Sequence, residues 1–167
     1  KIEGQHTRPA EIERALQQDF NADAALAKKQ RVAVAHMEVE QQLEQALAKT
    51  APGEVFSPRS VCEIHRLFYS KLPEADRVTD EGEPIVPGEY RKKDVKAGRH
   101  VAPPCKDVEG LMERCAERYR KLAGTEARLI GAACSHHRLA WIHPFIDVNG
   151  RAARLHTHLV LHAMGLT

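Results

Sequence analysis

The sequence predicts an all-α fold: a helical bundle that carries one small β-hairpin as a flap. Apolar residues recur at helical spacing through most of the 167-residue chain, and the good helix formers Ala, Leu, Glu, Gln and Arg are abundant. Residues 73–106 instead hold five prolines and three glycines, which interrupts the helical pattern. We therefore expect a single domain, residues 1–167, with helices on both sides of an irregular segment.

The first part of the chain predicts three helices. Thr7, Arg8 and Pro9 are typical of a helix start, with the Thr7 hydroxyl as cap and Pro9 in the first turn, and a short helix follows over residues 11–18. A longer helix spans about residues 22–49, where apolar residues keep helical spacing. The third helix begins at Ser57 and Pro58 and ends before Pro73.

The second part predicts a hairpin and three more helices. The hairpin lies around residues 95–101 and turns at Ala97 and Gly98. Asp107 is placed to cap the helix that follows. The three predicted helices cover about residues 107–122, 125–142 and 149–164.

Composition excludes several classes of protein. The formal net charge is +2, from 25 basic and 23 acidic residues, so no overall field favours nucleic acid. No apolar run approaches the length that spans a membrane. The four cysteines lack the spacing of a zinc site, which indicates reduced thiols and a cytoplasmic protein.

The segment 143–154 reads His-Pro-Phe-Ile-Asp-Val-Asn-Gly-Arg-Ala-Ala-Arg. Pro144 disfavours helical geometry in the residue before it, so one helix ends near Ile142 and the next begins near Asn149. The start of the second helix offers unpaired N–H groups and the positive end of the helix dipole. Such a start binds anions, phosphates among them.

Four side chains around this helix start can act on a phosphate. Arg151 and Arg154 stand three residues apart, so both guanidinium groups can reach one polyphosphate. Asp147 offers the hard carboxylate oxygen that Mg²⁺ prefers, and His143 can accept a proton near neutral pH. A base, a metal ligand and an anion site are what phosphoryl-type transfer requires.

The same segment resembles the signature of the Fic family, HPFx(D/E)(G/A)N(G/K)RxxR. It departs only at Val148, where the family has Gly or Ala and where a β-branched side chain narrows the allowed backbone. The resemblance implies the Fic fold, with a catalytic core over residues 125–164, and Mg²⁺-dependent transfer of AMP from ATP to a Ser, Thr or Tyr hydroxyl of a target protein. The roles it implies are His143 as general base, Asp147 as Mg²⁺ ligand, and Asn149, Gly150, Arg151 and Arg154 as phosphate-binding residues.

Residues 87–104 are similar to the flap of the same family, a hairpin that pairs with the backbone of the target. The resemblance implies that the docking residues are Lys93, Asp94, Val95 and Lys96. Basic residues of this flap could steer an acidic target or a nucleotide, or could simply be solvated. They are Arg91, Lys92, Lys93, Lys96 and Arg99.

Glu3 and Gly4 match the end of the motif (S/T)xxxE(G/N), which family members with an N-terminal inhibitory helix carry. Residues 1–20 would then hold the remnant of that helix and the helix after it. The resemblance implies that Glu3 pairs with Arg154 and keeps the γ-phosphate of ATP from seating productively.

Three functions remain open from the sequence. The first is AMP transfer to a target protein, with a homo-oligomer possible. The second is the same scaffold acting with another nucleotide, or removing AMP by hydrolysis. The third is a non-catalytic nucleotide-binding or interaction module, against which the presence of both His143 and Asp147 argues. His158 and His162 have the i, i+4 spacing of a metal site, but without an evident third ligand they are interpreted as core or surface histidines.

Overall fold

The computed structural model describes residues 8–47 and 53–167. Within these ranges the chain folds into six α-helices and one two-stranded antiparallel hairpin, which confirms the all-α class with a small flap. The helices are α1 (Pro9–Leu16), α2 (Ala24–Leu47), α3 (Pro58–Ser70), α4 (Val108–Tyr119), α5 (Thr125–Ile142) and α6 (Asn149–His162). The strands are β1 (Lys96–Ala97) and β2 (His100–Val101).

The hydrophobic core is built mainly from the facing sides of α2, α3, α5 and α6. Its largest fully buried side chains are aromatic or aliphatic, among them Phe68, Tyr69 and Phe145. Burial of such a side chain stabilises the fold by about 2 kcal/mol. Phe145 belongs to the loop between α5 and α6, so the core itself holds that loop in place.

Helix starts follow local capping chemistry in one case and depart from it in another. The Ser57 hydroxyl accepts a hydrogen bond from the backbone N–H of Ser60 at 3.1 Å, which fixes the start of α3 where it was predicted. Thr7, the predicted cap of the first helix, lies outside the described residues. The prediction that Asp107 caps α4 is wrong, since its side chain makes no capping hydrogen bond. Asp107 ends a 3₁₀ turn (Cys105–Asp107) with φ −95° and ψ −9°, and a capping carboxylate needs an extended backbone there.

Helix ends differ by a few residues from the predicted ones. Helix α1 ends at Leu16, because the chain turns at Gln18 with φ 63°. Helix α6 ends at His162, two residues before the predicted end. No helix in the described ranges is long and apolar enough to cross a membrane.

The irregular segment between α3 and α4 is fixed to the bundle at both of its ends. Arg31 of α2 holds Asp76 with two hydrogen bonds of 2.6 and 3.1 Å, and Asp76 is only 7% exposed. The hairpin pairs Lys96 with Val101 and Ala97 with His100. A ring nitrogen of His100 lies 2.8 Å from the carbonyl oxygen of Trp141, which attaches the hairpin to the end of α5.

Candidate active site

The candidate site is the loop of residues 143–148 between α5 and α6. Its first and last residues, His143 (φ 52°) and Val148 (φ 61°), both adopt the left-handed backbone conformation. The backbone N–H of His143 still closes the last turn of α5 on the Leu139 carbonyl at 3.0 Å. Two reversals of backbone hand, five residues apart, make the tight loop that Pro144 predicts.

Asn149 holds this loop closed. Its side-chain oxygen accepts a hydrogen bond from the backbone N–H of Phe145 at 2.8 Å, and its amide nitrogen donates to the carbonyl of Phe145 at 2.9 Å. Asn149 is only 5% exposed. Its side chain is therefore engaged within the loop, while its backbone N–H lies at the start of α6, where N–H groups lack a partner within the helix.

A buried histidine on α3 supports the loop from below. His65 is fully buried and stacks on Phe145 with ring centroids 3.9 Å apart and a 9° angle between the planes. Its Nδ1 accepts a hydrogen bond of 2.8 Å from the backbone N–H of Gly88. Burial lowers the pKa of His65 to about 4, with the Asp147 backbone opposing part of that shift. The ring is therefore neutral at physiological pH and carries its proton on Nε2.

Gly88 is required at its place for two reasons. Its φ is +85°, which side chains rarely allow, and a Cβ there would lie 3.2 Å from the Cys62 carbonyl oxygen and 3.1 Å from the Arg66 Cβ. This close approach of segment 87–91 to α3 is what brings the Gly88 N–H to His65.

Asp147 is exposed at the mouth of the loop. One carboxylate oxygen accepts a hydrogen bond of 3.2 Å from the buried Tyr69 hydroxyl, and the other accepts one of 2.7 Å from the Val148 N–H. Burial, and then the Asp147 charge, raise the pKa of Tyr69, so it remains a hydroxyl that donates to the carboxylate. The two hydrogen bonds orient Asp147 while leaving each oxygen a further lone pair for a cation.

His143 has a defined tautomer. Its Nδ1 lies 3.3 Å from the carbonyl oxygen of Ala140, and a carbonyl can only accept. The proton is therefore on Nδ1 and the lone pair on Nε2. This tautomer is the one in which Nε2 can act as a general base.

Arg151 and Arg154 are half-buried on the first turns of α6. The pKa of His36 on α2 is lowered to about 4, first by burial and then by the charges of these two arginines. Arg151 and Arg154 therefore lie on the side of α6 that faces α2. Arg151 also acts on Tyr69, which places it near the Asp147 end of the site. Glu3, the candidate inhibitory residue, lies outside the described residues.

Arg91 connects the flap to the candidate site. Its backbone N–H donates to the Pro144 carbonyl at 2.9 Å, and its guanidinium donates to the carbonyls of His143, Lys93 and Pro103 at 2.8, 2.8 and 2.5 Å. Its side chain has no exposed surface. The hypothesis that Arg91 belongs to a basic steering surface is therefore wrong, because every one of these bonds points its charge inward.

An open cleft of about 370 Å³ lies between the flap, the turn of residues 79–83 and the candidate site. All four predicted docking residues line it together with Asp147: they are Lys93, Asp94, Val95 and Lys96. Asp94 also accepts a hydrogen bond of 2.7 Å from the Cys105 backbone N–H, which is the main reason that its pKa is lowered. Lys93 forms an ion pair with Glu83 across the cleft.

Sequence reasoning missed His65, Tyr69 and Arg91 as supports of the site. A signal for the first was present, since His65 is a polar residue on the otherwise apolar face of α3. Tyr69 follows it by one helical turn, on the same face. No comparable signal marked Arg91. In the sequence it is one of three consecutive basic residues, and the other two, Lys92 and Lys93, are exposed.

Comparison with known proteins agrees with this geometry. A model of the Fic/DOC family matches residues 55–161. Proteins named Protein adenylyltransferase Fic from Drosophila yakuba and Drosophila willistoni are 36% and 33% identical over 109 and 108 residues, or 64% of this chain. The chain spans about 20% of the length of these curated relatives.

Solved structures show the same fold at lower identity. A Fic domain containing signaling protein from Bacteroides thetaiotaomicron gives a TM-score of 0.73 at 21% identity, covering 98% of this chain and 59% of that one. Fic-1 from C. elegans gives 0.69 at 19% identity, covering 98% of this chain and 46% of that one. Since the family model covers well over half of the residues, including the loop at 143–148 and most of α6, this chain belongs to the Fic/DOC family.

Proposed function

We propose that this chain transfers AMP from ATP to a hydroxyl of a target protein. The observation that supports this most strongly is the loop of residues 143–148, which presents His143 and Asp147 beside the N-terminus of α6. The curated relatives are named as protein adenylyltransferases, which agrees with the proposal.

His143 would act as the general base. Its Nε2 takes the proton from a Ser, Thr or Tyr hydroxyl of the target, and the oxygen attacks the α-phosphorus of ATP. A new oxygen–phosphorus bond forms, the bond to the bridging oxygen of the β-phosphate breaks, and pyrophosphate leaves. Backbone N–H groups at the start of α6 and the side chains of Arg151 and Arg154, on its first turns, would hold the phosphates.

Asp147 fits an Mg²⁺ ligand. Its carboxylate is exposed, is oriented by Tyr69 and Val148, and offers the oxygen donors that Mg²⁺ selects. Bound there, Mg²⁺ would offset negative charge on the α- and β-phosphates. Holding the carboxylate in one rotamer is the contribution of this chain.

The flap would hold the target beside the α-phosphate. Residues 93–96 line the cleft together with the 79–83 turn and Asp147. A target segment in this cleft would place its hydroxyl near the loop, because Arg91 fixes the flap to His143 and Pro144.

We further propose that Glu3 inhibits the transfer by pairing with Arg154. The Glu3 carboxylate and the γ-phosphate of ATP would compete for the Arg154 guanidinium, so weaker binding of one allows stronger binding of the other. Removing the carboxylate should then raise the rate of transfer.

The test uses α-labelled ATP with Mg²⁺, and label on the protein itself or on added lysate as the readout. We expect little label with the unchanged chain, more with Glu3→Gly, and none with Glu3→Gly combined with His143→Ala. Gln5→Gly, a neutral change two residues from Glu3, is the control for the first variant. His137→Ala, an exposed histidine on α5, is the control for the second.

Two other outcomes point to the alternatives. Absence of label from ATP, with label from another nucleotide that is lost in His143→Ala, would assign a different donor. Nucleotide binding without transfer from any donor, in all variants, would contradict the proposed enzyme and favour a binding module. Label gained in Gln5→Gly as well as in Glu3→Gly would contradict inhibition by Glu3.

A further inference from the structure

We propose that Glu44, His158 and His162 form a binding site for a transition-metal dication such as Zn²⁺, at the interface of α2 and α6. The site is distinct from the loop of residues 143–148, since His158 lies roughly 13 Å along the helix axis from the start of α6. It does not depend on the proposed transfer activity.

The ligand geometry comes from two helical pairs that face each other. His158 and His162 are four residues apart on α6, and Glu40 and Glu44 are four residues apart on α2, so each pair shares one helix face. The Nε2 of His158 lies 2.7 Å from a carboxylate oxygen of Glu44, and the Nδ1 of His162 lies 4.0 Å from the same oxygen.

The three ligand atoms lie close together. One atom from each of Glu44, His158 and His162 lies within 4.8 Å of the other two. Ligand atoms in a tetrahedral zinc site are about 3.4 Å apart. Small side-chain rotations would therefore suffice to place all three atoms at bonding distance from one ion.

His162 supplies a second, independent observation. Its Nδ1 is a buried atom that finds no hydrogen-bond partner in the described part of the chain, although it faces Glu44. Buried polar atoms are partnered in the great majority of cases. An ion at this point would give that nitrogen its partner, whereas an ion pair between Glu44 and His158 alone leaves it without a hydrogen bond.

Glu40 supports His158 from the other side of the ring. A carboxylate oxygen of Glu40 lies 3.6 Å from the Nδ1 of His158, the ring nitrogen that faces away from Glu44. Carboxylates in this position orient metal-binding histidines and increase their basicity. A slightly closer approach of Glu40 would give a hydrogen bond to the imidazole on the side away from the ion.

Ligand chemistry indicates which metals the site would accept. Two imidazole nitrogens and one carboxylate oxygen suit Zn²⁺ and its neighbours in the first transition row, and do not suit Mg²⁺ or Ca²⁺. The side chains of His158, His162 and Glu44 are 21%, 32% and 35% exposed, so an ion can enter and water can complete its shell.

The test is metal binding by the whole chain, stripped of metal with a chelator and dialysed. Calorimetric titration with Zn²⁺ should show one saturable site per chain. Co²⁺ should give the intense visible bands of a tetrahedral site. Glu44→Gln and His162→Ala should each weaken Zn²⁺ binding by at least about tenfold, and Glu40→Gln should weaken it less.

The matched control is His137→Gln, an exposed histidine on α5 that should leave binding unchanged. Binding that survives in both Glu44→Gln and His162→Ala, or that falls in His137→Gln, would overturn the site. Where a ligand variant fails to fold, the wild-type Co²⁺ spectrum decides alone. The weak bands of an octahedral ion, or no saturable binding, would likewise overturn the site.

Discussion

Val148 is held in a backbone conformation that its side chain disfavours. Its φ is 61° and ψ is 17°, in the left-handed region, where a β-branched residue is a clear outlier. The conformation costs a non-glycine residue about 1–2 kcal/mol. A preference for Gly at this position of the Fic signature therefore has a backbone explanation, and contacts elsewhere in the fold must offset the strain at Val148.

We expect Val148→Gly to be more stable than Val148→Ala by about 1 kcal/mol, because glycine alone adopts a positive φ without strain. Denaturant unfolding of the two variants measures this difference. The control pair is Val101→Gly and Val101→Ala. Val101 is an exposed strand residue whose φ is not positive, so the alanine variant should be the more stable of the two. The same order at both sites would contradict strain at Val148.

At the scale of elements, α6 presents one polar face to α2. The residues on that face follow helical spacing from the candidate active site to the end of the helix; they are Arg151, Arg154, His158 and His162. On α2 the facing residues are His36, Glu40 and Glu44. His36 is neutral beside the arginines, and the two glutamates lie beside the two histidines. The proposed phosphate-binding site and the proposed metal-binding site thus lie at opposite ends of the interface between α2 and α6.

Arg91 attaches the flap to the loop of residues 143–148, and replacing Arg91 by Lys should weaken that attachment. We expect Arg91→Lys to lower the free energy of unfolding by about 3 kcal/mol, because one ammonium cannot satisfy the carbonyls of His143, Lys93 and Pro103 together. Thermal unfolding measures the loss. Hydrogen exchange should rise in the flap.

Arg99→Lys is the matched control, since Arg99 is exposed on the same hairpin. It should leave both the unfolding temperature and flap exchange unchanged. Equal effects of Arg91→Lys and Arg99→Lys would show that the buried guanidinium does not hold the flap.

At the scale of the whole molecule, buried neutral histidines make the fold sensitive to acid. Burial lowers the pKa of His65 and of His156 to about 4, and for His156 the nearby His136 adds to the shift. Both side chains hold structure: His65 stacks on Phe145, and a ring nitrogen of His156 lies 3.0 Å from the Val55 carbonyl oxygen.

The sign of the pH dependence follows from these values. Between pH 6.5 and about 4 the unfolded chain binds protons at His65 and His156 that the folded chain does not. Stability is therefore unaffected by these groups above pH 6.5 and falls as the pH drops through this range, by about 3 kcal/mol for each histidine. Unfolding temperatures measured from pH 7 to 4 should fall accordingly.

His156→Leu should reduce by about one the number of protons taken up on unfolding in this pH range, because leucine fills similar space and does not titrate. The slope of the free energy of unfolding against pH should fall accordingly. His137→Gln, at an exposed position, should leave the dependence as it is. An unchanged slope in His156→Leu would show that His156 is not the group responsible. Lower stability at every pH is expected as well, since the Val55 carbonyl loses its partner.

Much of the fold was predictable because it depends on local patterns. Helical spacing predicted α2, α5 and α6 to within a few residues, and Ser57 marked the start of α3. Asp107 shows the limit of such reasoning: its residue type favours a cap, but the 3₁₀ turn before it sets the backbone angles. Neighbouring turns of that kind depend on how the chain packs, which no local pattern records.

The residues of the candidate site could be read from the sequence alone: the segment from His143 to Arg154 is contiguous, so its imidazole, its carboxylate and its two guanidinium groups are brought together by one loop and one helix start. The contacts that hold the loop of residues 143–148 in place come only from the tertiary structure. His65, Tyr69 and Arg91 reach the loop from α3 and the flap, and Glu44 completes the histidine pair from α2. The physical reason is distance along the chain: contacts within about one helical turn follow from spacing, whereas contacts between residues far apart exist only after the core has packed.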